Sequence, residues 1–98
     1  MIKKIKINFF FLSKSKISLV YARALNLSIC HSNNHIRQSA LLLCYSLQRN
    51  NKSISYNLTH DEMVYLATLL FDIGLWSEDV GIIKWCTRNI KKIERKLR

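Results

Sequence analysis

Proline is missing from this 98-residue chain, and glycine occurs only twice. A many-stranded sandwich needs more turn formers than that, so helices joined by short polar loops are the expected architecture. Acid is also scarce: six Asp and Glu face sixteen Lys and Arg, a formal net charge of +10. Such an imbalance works against compactness by self-repulsion, and it draws the chain toward nucleic acid, an acidic protein or an anionic membrane surface. No short paired cysteine spacing is present. Cys30, Cys44 and Cys86 are odd in number and each sits in an apolar pattern, which argues against a disulfide scaffold and for a reducing cytoplasm. Long apolar runs are lacking too. Ile7 to Leu12 follows a basic start, but it is shorter than a signal-peptide core and far too short to span a bilayer. Neither a transmembrane segment nor a cleaved leader is expected.

What is present is enough for one domain with a working core, since 49% of the residues are apolar. At the N-terminus Ile5, Ile7, Phe9 and Phe11 alternate with Lys4, Lys6, Asn8 and Phe10. That two-residue period fits a strand with one greasy face, and it fits equally a basic leader with a sticky patch. Residues 1–14 are therefore read as a basic, partly apolar leader or strand, and 15–98 as the helical domain.

From Ser15 the period lengthens. Ile17, Val20, Tyr21, Ala24, Leu25 and Ile29 share one helical face, ending near His31. Asn33 or Asn34 can cap a second helix with Ile36, Ala40, Leu43, Cys44 and Leu47 as its stripe, widened by Leu41 and Leu42. After a polar break at Arg49 to Ser53, Ile54, Tyr56 and Leu58 alternate as a short strand. Thr59 then stands three residues before Glu62, the spacing of a capping box, ahead of Met63, Leu66, Ala67 and Leu70. Gly74 marks a break across Asp72 to Trp76. Ser77 offers the cap of a last helix, with Val80, Ile83, Cys86, Ile90, Ile93 and Leu97 as its expected core stripe. The fold class is thus mainly α: about four helices with one or two short strands, a single helix-turn-helix-like domain.

The strongest positional signal is a cationic ridge. Lys84, Arg88, Lys91, Arg95 and Arg98 recur at steps of four, three, four and three, with Lys92 and Lys96 broadening the band and Glu94 the one acid among them. A solvated helix face with cations suited to the negative end of the helix dipole accounts for such a run. Coupled to a net charge of +10, it reads better as a surface that neutralises phosphates.

The middle of the chain carries a resemblance. Ile36 to Leu47, IRQSALLLCYSL, followed by Ile54 to Leu66, ISYNLTHDEMVYL, resembles the C-terminal domain of the cyclic-AMP-receptor family of bacterial regulators. There, a helix with a leucine cluster leads through a short strand into a helix opening Leu-Thr-His/Arg-x-Glu-Leu. Leu58, Thr59, His60, Glu62 and Met63 occupy that opening. The likeness covers about a third of the chain. It implies a winged helix-turn-helix, with Ser77 to Arg88 as the helix entering the major groove. It also implies an optional homodimer through VYARALNLSI (residues 20–29). The sequence departs from the family at Ala67 to Trp76, which adds roughly two helical turns to the usual tight link. It departs again at Glu78 and Asp79, where an Arg usually reads guanine, and no wing hairpin is expected after the last helix.

Other chemistries find little footing. Cys30, His31, His35 and Cys44 offer metal donors without paired spacing, so no metal is expected. No glycine-rich phosphate loop is present, and the acids sit mainly at helix starts, which leaves no expected catalytic residue and no cofactor. Trp85 reads chiefly as a partly buried anchor, with stacking on a base as the functional alternative. Asn26, Asn51 and Asn57 open N-x-S/T triplets that read as chance matches. The expected function is that of a small, basic, non-enzymatic DNA-binding regulator. Thr59 with its helix N-terminus is expected to position the DNA backbone, and Lys84, Arg88, Lys91, Lys92 and Arg95 to hold phosphates. A helical inhibitor-like module on an acidic protein, or a protein of the membrane surface, are the rival readings.

Overall fold

A computed structural model describes residues 1–10, 12–49 and 53–98. The elements run β1 (Ile2–Asn8), α1 (Lys14–Cys30), α2 (Asn34–Gln48), β2 (Ser53–Thr59), α3 (His60–Trp76) and α4 (Val80–Leu97). The protein is mainly α, with four helices and one two-stranded antiparallel sheet among the described residues. Phe11, expected on the greasy face of the first strand, and the centre of the expected polar break at 50–52 lie outside the described residues.

Alternation decides the sheet. Ile5, Ile7 and Phe9 from the first strand segment, and Tyr56 and Leu58 from β2, turn inward and are buried. The residues between them turn out, as a pleat with one solvated face requires. The register pairs Ile2 with Thr59, Lys4 with Asn57, Lys6 with Ser55 and Asn8 with Ser53. The buried Tyr56 hydroxyl is satisfied by the Ser46 hydroxyl of α2.

The helix caps follow local chemistry. Ser13 and Asn33 cap α1 and α2, and the expected capping box forms at α3: the Thr59 hydroxyl accepts from the Glu62 amide at 3.2 Å, while the Glu62 carboxylate accepts from the Thr59 amide at 2.9 Å. The cap of α4 differs from expectation. Asp79 fills it, accepting from the Ile82 amide at 3.0 Å, whereas Ser77 closes α3 and accepts from the Asp79 amide. The expected break at Asp72 to Trp76 is absent as well. α3 runs through Gly74, which packs against α4: a Cβ there would lie 3.4 Å from the Cβ of Cys86, an ordinary contact distance.

Three stripes are rotated or narrower than expected. On α1, Leu27 is buried while Ile29 is 71% exposed. On α2, Leu41 and Leu42 face outward. On α4 the core side is Ile82, Trp85, Cys86, Asn89 and Ile93, and Val80 and Ile83 are exposed. The physical reason on α4 is that Trp85 has the larger apolar surface to remove from water. Its neighbour on that side, Asn89, is tolerated because its amide donates to the Trp85 carbonyl one turn back.

Candidate nucleic-acid interface

Rotating α4 this way fixes what it shows to solvent. Residues turn about 100° per step, so Lys84, Arg88, Lys91 and Arg95 fall within roughly 60° of one another, opposite the buried side. All four are exposed. Along the axis they extend about 16 Å.

Lys92 sits at the border of this ridge and is half-buried, because its ammonium leaves α4 to donate to the Lys6 carbonyl of β1 at 2.8 Å. Nearby, the Trp85 indole N–H donates to the Asn8 carbonyl at 2.8 Å, and the Lys3 ammonium donates to the Lys96 carbonyl at 2.6 Å. The carbonyls of Lys6 and Asn8, two residues apart, point the same way off the strand. α4 therefore covers β1 along its length and supplies donors to its backbone. Between helix and strand lies a cleft of about 240 Å³, lined by Asn8, Trp85, Arg88, Asn89, Lys91, Lys92 and Arg95. Four of the six residues expected from the sequence to bind nucleic acid thus converge on one concavity. Lys84 lies on the same helix face farther toward its N-terminus.

Thr59 stands apart from this group. It is exposed, at the far end of β2 from Ser53, and its hydroxyl is engaged in the capping box. The first turn of α3 carries Asp61 and Glu62, and the Glu62 carboxylate accepts from the Thr59 amide, so the helix terminus is already balanced by negative charge. The structure does not bring Thr59 into the cationic cleft. Trp85 is 2% exposed, which overturns base stacking as its role and leaves it as the anchor between α4 and β1.

The electrostatic setting of the ridge follows from where the acids went. Among the described residues, ion pairs form at Lys16–Asp79 (3.4 Å), Arg23–Asp72 (3.2 Å), His31–Asp72 (3.8 Å) and His60–Asp61 (3.7 Å). None of these reaches Lys84, Lys91, Lys92 or Arg95. From Val80 to Arg98 the only carboxylate side chain is Glu94, against Lys84, Arg88, Lys91, Lys92, Arg95, Lys96 and Arg98.

The surface also includes residues that sequence reasoning left out. Lys4, Lys6 and Asn8 project from the outer face of β1, beside Asn57, Ser55 and Ser53 of β2. Lys6 joins this face to the ridge through the bond from Lys92. The signal was in the alternation itself: once Ile5 and Ile7 go inward, Lys4 and Lys6 must share the other face.

The remaining donors are dispersed. His31 accepts from the Asn33 amide, His35 stacks on Tyr65 with ring centroids 4.6 Å apart, and Cys44 is buried. Among the described residues no three His, Cys, Asp or Glu gather as a metal site. Burial pushes the Cys44 thiol up and the Cys86 thiol up to about 12, so both stay protonated and inert near neutrality. No helix among the described residues is long and apolar enough to cross a membrane. No family model, no curated protein and no solved structure matches the chain.

Proposed function

We propose that this protein is a small, non-enzymatic regulator of the cytoplasm that binds duplex DNA, holding the phosphate backbone with the cationic face of α4. The observation that carries the reading is the cleft between α4 and β1, where Arg88, Lys91, Lys92 and Arg95 converge without a carboxylate in the lining. The exposed set Lys84, Arg88, Lys91 and Arg95, spaced along about 16 Å of helix, suits an array of phosphates, which occur every 3.4 Å or so of duplex axis on each strand. Arg88 and Arg95 bring a planar fork matched to phosphate oxygens.

The resemblance to the cyclic-AMP-receptor family supports a narrower form, in which α3 and α4 act as a helix-turn-helix pair. The order helix, strand, helix, helix in α2, β2, α3 and α4 is compatible with it. Against deep insertion of α4 stands the segment that leads into it, where Glu78 and the capping Asp79 would meet phosphates of their own sign. Its C-terminal half is the better backbone contact.

Salt titration tests the reading. With four phosphate contacts, log affinity for duplex DNA falls against log salt with a slope of about −3.6, or roughly 100-fold between about 50 and 200 mM. The double substitution Lys91→Glu with Arg95→Glu reduces that slope by about 2 while leaving the circular dichroism spectrum unchanged. Affinity that ignores salt, or no binding at low salt, overturns the proposal.

A further inference from the structure

The outer face of the β1–β2 ribbon carries an ordered array that is polar except at Ile2. Reading across the register, its rows are Ile2 with Thr59, Lys4 with Asn57, Lys6 with Ser55 and Asn8 with Ser53. Lys4, Lys6, Ser55 and Asn57 are exposed, and no row contains a carboxylate. Solubility alone asks only that this face be polar. The array goes further: it combines cations with amide and hydroxyl groups that both donate and accept. It is also continuous with the α4 cleft, since Asn8 lines that cleft and Lys92 is bonded to the Lys6 carbonyl.

Resting on the DNA-binding reading above, we infer that this ribbon, rather than the first turn of α4, is the element that reads bases, seated in the major groove while α4 holds the flanking phosphates. The major groove, about 12 Å wide, admits a two-stranded ribbon as well as a helix. Side chains on one face of a strand recur about every 6.8 Å, which matches two base-pair steps of about 3.4 Å. Lys4 and Lys6 thus address guanine O6 and N7 two steps apart. Asn57, opposite Lys4, has the paired donor and acceptor that fit adenine N6 and N7. Ser55 adapts to either. α4 cannot take this role with its leading residues, because Asp79 is committed to its cap and Glu78 is an acid.

Selection from a pool of random duplexes at about 150 mM salt by the full chain provides the test, followed by affinity measurements on the enriched site and on scrambled DNA. The preference between the two collapses about tenfold in Asn57→Ala and in Ser55→Ala, with the salt slope unchanged, and guanine N7 methylation within the site blocks the wild-type protein. Circular dichroism confirms that the two variants are folded, and the methylation arm needs no variant at all. Binding without sequence preference overturns the inference, as does a preference that survives both substitutions or N7 methylation without effect. In those cases the backbone-binding reading stands. Loss of all duplex binding at low salt is the separate outcome that removes that reading and this inference together.

Discussion

Arg23 on α1 and Lys91 on α4 carry the same charge in opposite electrostatic company. Arg23 pairs with Asp72 at 3.2 Å and lies 5.5 Å from the centre of the Trp76 ring, and its neighbour Lys16 pairs with Asp79. These cations tie α1 to α3 and to the start of α4. Across the molecule, Lys84, Lys91 and Arg95 face solvent, and Lys92 is bonded to a neutral carbonyl. What separates a paired structural cation from one exposed on the proposed binding face is the placement of six carboxylates. The net charge, spread evenly, would point to no surface at all.

The largest effect expected from breaking this contrast is at its hinge. Trp85→Ala empties a core position and strands the Asn8 carbonyl, at a cost of about 3–5 kcal/mol. That is a large share of the stability of a domain this size, and urea unfolding measures it. A loss below about 1 kcal/mol would mean that α4 does not hold β1 in place. Thr59→Ala, which removes the helix cap, is expected to cost about 1 kcal/mol and to leave the salt slope of DNA binding untouched. A reduced slope would return Thr59 to the interface. Arg23→Ala loses a partly exposed pair and a ring contact, about 0.5–1 kcal/mol. Its stability falls while DNA affinity holds, the reverse of the pattern expected at Lys91 and Arg95. The smallest effect is one of pH. The Ile82 amide, aided by Lys16, holds the Asp79 carboxyl below the usual carboxylate range. Stability from this cap is therefore present above the ordinary carboxylate pKa and is lost as pH falls through the depressed one. Asp79→Asn should flatten that part of the acid unfolding curve.

Much of the fold was legible because it is local. The capping box at Thr59 and Glu62 is a three-residue spacing, and the alternation of Ile54, Tyr56 and Leu58 is a two-residue one; both appear where the pattern puts them. The cationic stripe was legible for the same reason. The missed features are non-local. Whether Val80 and Ile83 or Ile82 and Trp85 face the core depends on what packs against α4, and period alone tolerates either choice. Nothing near Lys4 or Lys6 reveals that Asn57 and Ser55 lie opposite them, because that pairing joins residues about fifty positions apart. The candidate surface was thus read as a helix face when it is a helix beside a ribbon.

Contact between Lys92 and Lys6, 86 positions apart, has a consequence for biosynthesis. β1 leaves the ribosome before any of its partners and, until β2 and α4 follow, exposes a greasy face and unpaired backbone, the arrangement that invites strand addition by other chains. Its Lys3, Lys4 and Lys6 provide repulsion during that wait. On the DNA-reading proposal, Lys4 and Lys6 would then serve protection first and recognition later in the protein's life.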